Sequence, residues 1–304
     1  MESIVFTQVG TFFLIMVAGV LAGRFGVIDK HANKHLSKLL IYVTMPLLLI
    51  SSFQDMEYSP SDIGRLGQVL LISVTIYIVT ILLGTVLYRR VEPRKRSILR
   101  FSLVFNNVGY IGFPLLDALF GTEAVFYASV YIIPFNIFLW TYGLMQFCGN
   151  RSGSYLKKAF VNPGMIAISV GIALYLLSIR LPAPILSAAN MMGDMTGPLG
   201  MLIIGVLLSR SRVKDLFSGW AMYVASMLRV LVLPLAVLGV LSLFPIQELL
   251  KSVIVMLSAM PVAVNSAVFA ELYDGDAHLA SRTVVFSTLI AMATIPLLLY
   301  IIGP

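Results

Sequence analysis

"FNNVGYIGFPLL", Phe105 to Leu116, sets two adjacent asparagines, two glycines and a proline inside a stretch whose flanks read as an apolar helix. Glycine and proline are the poorest helix formers, costing about 1 and about 3 kcal/mol per site relative to alanine. Their clustering inside a hydrophobic run predicts a broken helix rather than a continuous one. The rest of the chain says what kind of helix is broken. Of 304 residues, 59% are hydrophobic and only 12% are charged, with a mean hydropathy of +0.95. A soluble domain carries about a quarter charged residues. Here the apolar residues form runs of roughly 20, the length that crosses a hydrocarbon core of about 30 Å. The composition therefore predicts an all-α polytopic membrane protein.

Ten candidate spans follow: 5–24, 36–54, 66–88, 98–119, 122–147, 162–180, 184–208, 219–243, 249–271 and 280–302. Most of the 21 lysines and arginines fall on alternate connections, at 24–38, 89–100, 151–158, 210–214 and 282. The positive-inside rule assigns those connections to the cytoplasm, which puts both termini outside the cell's inner (plasma) membrane. Asp55, Glu57, Asp62, Glu123 and Glu248 lie on the opposite connections. The net charge of +7 is thus spread over loops and does not predict a nucleic-acid surface. Glu2 precedes the first apolar run with no basic n-region, so no cleaved signal peptide is expected. The single cysteine, Cys148, excludes an internal disulfide framework and a cysteine cluster for metal. No hydrophilic segment is long enough for a separate soluble domain, which removes most enzyme classes.

The second span contains "VTMPLLLI" (Val43–Ile50) and the seventh "MTGPLGMLI" (Met195–Ile203). Thr44-x-Pro46-Leu47 and Thr196-x-Pro198-Leu199 match at an offset of 152 residues, half the chain. The same offset superposes the third span on the eighth and the fourth on the ninth. Five spans per half is an odd number, so the second half enters the membrane inverted. This predicts two inverted five-helix repeats, 1–148 and 162–304, joined by a short cytoplasmic linker at 149–161. Inverted repeats are the footprint of many secondary transporters.

Under that offset the opening stretch faces "LSAMPVAVNSAVFAE", Leu257 to Glu271. Both spans are interrupted, one by Gly109, Gly112 and Pro114, the other by Pro261. Broken backbone leaves polar groups that hydrocarbon does not tolerate, so the breaks are expected to face each other inside the protein. Half-helix N-termini offer N–H donors to an anion, and C-terminal ends offer carbonyls to a cation. Asn106, Asn107 and Asn265 stand at these breaks. Their amides either touch substrate or make ordinary interhelical hydrogen bonds, and of the adjacent pair Asn107 is the stronger substrate candidate. For Pro46 and Pro198, kinking and packing outweigh ligand contact.

Charged residues inside spans are functional candidates by default. Arg229, near the centre of the eighth span, suits a substrate carboxylate; a structural ion pair with Asp194, or snorkelling, suits it equally. Asp194, Asp117 and Glu271 are candidates for a proton or ion site, against solvated positions at span ends. His31, His35 and His278 lack metal-ligand spacing. "GVLAG", Gly19 to Gly23, fits the G-x-x-x-G packing pattern, within the fold or between subunits. No metal site or cofactor is expected. There is no Walker sequence, G-x-S-x-G or H-E-x-x-H, so ATP-driven pumping and standard hydrolase chemistry have no support and the chain is not read as an enzyme.

With "TMPLLLISSF" in the second span, "NNVGYIGFPLL" in the fourth and "AMPVAVNSAVFAELY" in the ninth, the chain resembles the auxin efflux carrier family of permeases over nearly its whole length. Bacterial members include malate and malonate permeases, and plant members include auxin exporters. The resemblance implies a fold similar to those of sodium/proton antiporters and bile acid symporters. The fourth and ninth spans would cross in a transport domain of spans 3–5 and 8–10, with Asn107, Pro114 and Pro261 at the crossover. Spans 1, 2, 6 and 7 would form a scaffold that supports a homodimer. The expected substrate is a small organic anion, malate-like or an aromatic acid, carried by elevator-type alternating access, with membrane lipid as the other partner. The alternative is a transporter-like ligand sensor without net flux.

Overall fold

The computed structural model of the chain describes residues 2–54, 63–148, 163–209 and 219–303, and these are almost entirely helical. Helix α1 (Glu2–Arg24) is followed by α2 (Lys30–Leu39), whose first turn is capped by Asp29 accepting from the Ala32 N–H at 2.7 Å. A π turn at Leu40–Thr44 joins α2 to α3 (Met45–Gln54). Then come α4 (Ile63–Leu87), α5 (Pro93–Val104), a π turn at Val108–Gly112, α6 (Phe113–Phe120) and α7 (Thr122–Phe138). A further π turn, Leu139–Gly143, leads into α8 (Leu144–Cys148). The second half holds α9 (Pro163–Leu176), α10 (Ala183–Asp194), α11 (Thr196–Ser209) and α12 (Trp220–Met227). After a π turn at Leu228–Val232 the chain ends with α13 (Leu233–Leu241), α14 (Glu248–Ala259), α15 (Asn265–Leu272) and α16 (Ala277–Ile302).

Three of these π turns share a cause. Each ends two residues before a proline: Thr44 before Pro46, Gly112 before Pro114, Val232 before Pro234. Proline lacks the N–H of the next turn, and its ring crowds the carbonyl four residues back. Widening the turn by one residue relieves the crowding. The N–H groups of Met45, Phe113 and Leu233 accordingly reach back to the carbonyls of Leu40, Val108 and Leu228. Pro198 acts differently, sitting in the first turn of α11 just after α10 ends.

Among the described residues, six stretches are long and apolar enough to cross a membrane: Lys30–Ser51, Gly64–Leu87, Val130–Phe147, Ala183–Ser209, Trp220–Leu241 and Ala277–Ile302. The expected spans 98–119 and 249–271 are absent from that set because extended backbone divides each into two short helices. The expected span 162–180 is a helix of 14 residues, Pro163–Leu176. The expected linker 149–161 lies outside the described residues. Large apolar side chains such as Leu14, Leu71, Leu82 and Val86 are exposed, as a lipid-facing surface requires. Residues 252–270, by contrast, are buried throughout, so the ninth-span break is shielded on all sides.

Close backbone approaches organise the packing. α1 lies against α11, and a Cβ on Gly19 would run into the Leu202 carbonyl, while one on Gly205 would run into that of Met16. Gly23 faces the Ser209 side chain. The glycine pattern in the first span is therefore spent inside the fold. α3 packs on α9 and α10, with a Cβ on Gly193 falling 2.9 Å from the Leu48 Cα. Gln54, at the end of α3, donates to the Ile179 carbonyl at 3.2 Å and accepts from the Leu181 N–H at 2.8 Å.

Replacing Gly205 by valine should destabilise the protein by about 1–3 kcal/mol, the usual range for overpacking. The equivalent change at Gly10, where a Cβ meets nothing within 4 Å, is the control. Thermal unfolding of detergent-purified protein measures both, and equal melting temperatures would contradict the close α1–α11 contact.

Candidate functional site

The two breaks meet. α5 ends at Val104, Phe105 is extended, and Asn106 pairs antiparallel with Val262 in an isolated bridge. The Asn107 N–H donates to the Pro261 carbonyl at 2.8 Å, and the Ala263 N–H donates to the Phe105 carbonyl at 3.0 Å. Each break thus supplies the partners the other lacks. The Val262 N–H is taken by the Ser287 hydroxyl of α16 at 3.0 Å. Buried backbone groups left unpaired would cost several kcal/mol each in hydrocarbon, so this pairing is what permits the interruptions.

The adjacent asparagines do different things. Asn106, fully buried, donates through Nδ2 to the Leu257 carbonyl in the last turn of α14, and its Oδ1 accepts from the Tyr77 hydroxyl at 3.4 Å. Both ends of that amide are spent on holding the crossing together. Asn107 is also buried, yet its Nδ2 has no hydrogen-bond partner. It lines a narrow recess together with Asn106, Met45, Leu48 and Leu49 of α3, Ile132, Phe135 and Asn136 of α7, and Asn265. Val108 and Gly109, which open the second half of the fourth span, line it too, as does Asn265, which opens α15. Two half-helix N-termini therefore abut one cavity, each with partial positive charge. No charged side chain lines it.

Asn136 is a recess residue that the sequence reading passed over. Its Nδ2 back-bonds to the Ile132 carbonyl at 2.9 Å, leaving the buried Oδ1 without a partner. An amide inside an apolar run, two residues after Pro134, was the available signal. Asn265 makes a sulfur contact, Nδ2 to the Met45 Sδ at 3.6 Å.

The other candidates lie elsewhere. Gly112 packs against the Leu257 side chain, where a Cβ would sit 3.1 Å from Cδ2. Pro261 contributes its carbonyl to the crossing. Pro114 and Asp117 belong to α6, and their side chains are outside the described ones. Asp194 is exposed at the end of α10. Glu271 lies in the last turn of α15 with its Oε1 buried and unpartnered. Neither Asp194 nor Glu271 lines the recess. Arg229, 1% exposed, does not pair with Asp194: its guanidinium donates to the carbonyls of Leu103 at 3.0 Å, Ser258 at 3.1 Å and Met260 at 3.4 Å.

These features define a helical, polytopic membrane protein with a small uncharged polar recess walled by two helix breaks. The sequence profile described as "Membrane transport protein" matches residues 4–154 and 150–299, and the chain belongs to that family, the auxin efflux carrier family. Relatives include an "Uncharacterized transporter" of Methanocaldococcus jannaschii, 25% identical over 93% of this chain and 94% of that protein. Another "Uncharacterized transporter", of Methanothermobacter thermautotrophicus, is 27% identical over 93% of this chain and 94% of that protein. A Rhizobium meliloti protein named "Putative malonate transporter" is 25% identical over 96% of this chain and 93% of that protein.

The two asparagines should separate in stability measurements. Asn106→Ala strands the Tyr77 hydroxyl and leaves the Leu257 carbonyl with the Met260 N–H alone, and should cost about 1–3 kcal/mol. Asn107→Ala removes an amide with an unpartnered donor and should leave the melting temperature nearly unchanged. The reverse order would show that the bonding at the crossing is assigned to the wrong residue.

Proposed function

We propose that this chain is a secondary transporter of small organic anions, carboxylates of malonate or malate size, in the cell's inner membrane. The observation that carries the reading is the recess at the crossed breaks. It offers an unpartnered Asn107 amide donor and two half-helix N-termini, a donor set for a carboxylate that needs no charged side chain. The family membership supports transport, and the relative named for malonate supports the substrate class.

The proposed architecture has ten spans in two inverted repeats, 1–148 and 162–304, with both termini outside. Spans 1, 2, 6 and 7 form the scaffold, and spans 3–5 and 8–10 the moving domain. Packing favours this division: α1 lies along α11 and α3 along α9 and α10, while α4, α5 and α7 pack together, as do α12, α14 and α16. The recess lies where α3 meets the crossing. A carboxylate held there would contact both groups of helices, and elevator-type displacement of one against the other would carry it across.

Uptake of labelled malonate and malate into proteoliposomes tests the proposal. Asn107→Ala should lower uptake by about tenfold or more, the loss of one charge-assisted hydrogen bond of about 1.5–3 kcal/mol. Asn136→Leu should lower it too by closing the recess. Full activity of Asn107→Ala would remove that amide from the site, and no flux with ligand-dependent thermal stabilisation would indicate a sensor.

A further inference from the structure

Of the described residues, Arg229 is the charged one whose whole side chain is buried. A guanidinium inside the membrane is costly unless its donors are satisfied. Here they are satisfied by backbone, and by a particular set of it. Leu103 lies in the last turn of α5, Ser258 lies in the last turn of α14, and Met260 follows α14 directly. These are the C-terminal ends of the two half-helices that precede the breaks. Each end carries carbonyls without intrahelical partners and about half a unit of negative charge. The crossing brings both ends to one place, so two negative poles face the same point.

A cation is the natural occupant of such a point, and broken-helix carbonyls are the donors that hold coupling sodium ions in membrane transporters. In this chain the π turn at Leu228–Val232 delivers a guanidinium there instead. The planar fork spreads three bonds over the two helix ends, which a lysine ammonium, a single point charge, reproduces poorly. We propose that Arg229 is a tethered cation filling the cation site of the crossing, a positioning residue that pins both half-helix ends so that the recess keeps its shape with no dissolved ion bound there. Its consequence for flux rests on the transport reading above; its role in the crossing does not.

Chemical replacement tests this on the full chain. Arg229→Ala should lower carboxylate uptake by about a hundredfold, as expected for a lost positioning group, and should lower the melting temperature. Millimolar ethylguanidinium, the fragment the truncation removes, should recover much of both losses. Equal concentrations of ethylammonium or sodium should not. Where Arg229→Ala does not fold, Arg229→Gln with the same three cations gives the thermal readout. Wild-type flux should be the same in sodium and in choline buffers. The proposal is overturned if the truncated protein transports normally, if no cation restores it although it is folded, if sodium or the ammonium restores it as well as the guanidinium does, or if wild-type flux requires sodium. Absence of any wild-type carboxylate flux would sink the transport reading alone, since specific stabilisation of the variant by ethylguanidinium is measured without substrate.

Discussion

The fold hangs on two backbone hydrogen bonds between segments half a chain apart, from the Asn107 N–H to the Pro261 carbonyl and from the Ala263 N–H to the Phe105 carbonyl. In water a chain with two broken helices could leave its exposed amides to solvent. In hydrocarbon it has no such option. The breaks must therefore find each other, and everything around them must keep lipid out. That is why residues 252–270 are buried without exception. Ser287 on α16, Tyr77 on α4 and Arg229 before α13 each send a polar group to the crossing, so three further helices take part in closing it.

Once the backbone is satisfied, side chains at the same place are free for other work. Asn106 and Asn107 are chemically identical neighbours and both line the recess, yet their amides are used differently. The Asn106 amide is bonded at both ends, to the Leu257 carbonyl and the Tyr77 hydroxyl, while the Asn107 amide keeps an unpartnered donor. The local irregularity thus both creates the polar cavity and separates structural from available amides. An unbroken helix would have placed the two amides about 100° apart on one cylinder, with no half-helix N-termini between them.

The sequence told much of this because the signals were categorical. Glycine and proline inside apolar runs mark interruptions whatever the tertiary context, and the offset between Thr44-Met45-Pro46 and Thr196-Gly197-Pro198 pointed to the partner of the first break. Partners were harder to read. Arg229 in the eighth span invited a carboxylate, since charge pairs with charge in most sequence reasoning, yet its acceptors are carbonyls. Carbonyls carry no letter in a sequence, and which of them are unpaired depends on where helices end. Asn136 was missed for a related reason: an amide in mid-helix is usually satisfied by its own turn, and only half of this one is. The acidic candidates Asp194 and Glu271 were chosen for charge alone, and neither reaches the recess.

The glycine contact between α1 and α11 has a mechanical meaning. Where backbones touch, as Gly19 does at Leu202 and Gly205 does at Met16, the bumps are carbonyls and Cα atoms that cannot rotate out of the way. Sliding one helix along the other would drive main chain into main chain, so this seam resists shear. The seam at α3 is of another kind. Met45, Leu48 and Leu49 meet the first break through long, rotatable side chains, and methionine in particular re-packs at little cost. The α1–α11 seam is interlocked, the seam of α3 with the first break is compliant, and the recess opens on the compliant one.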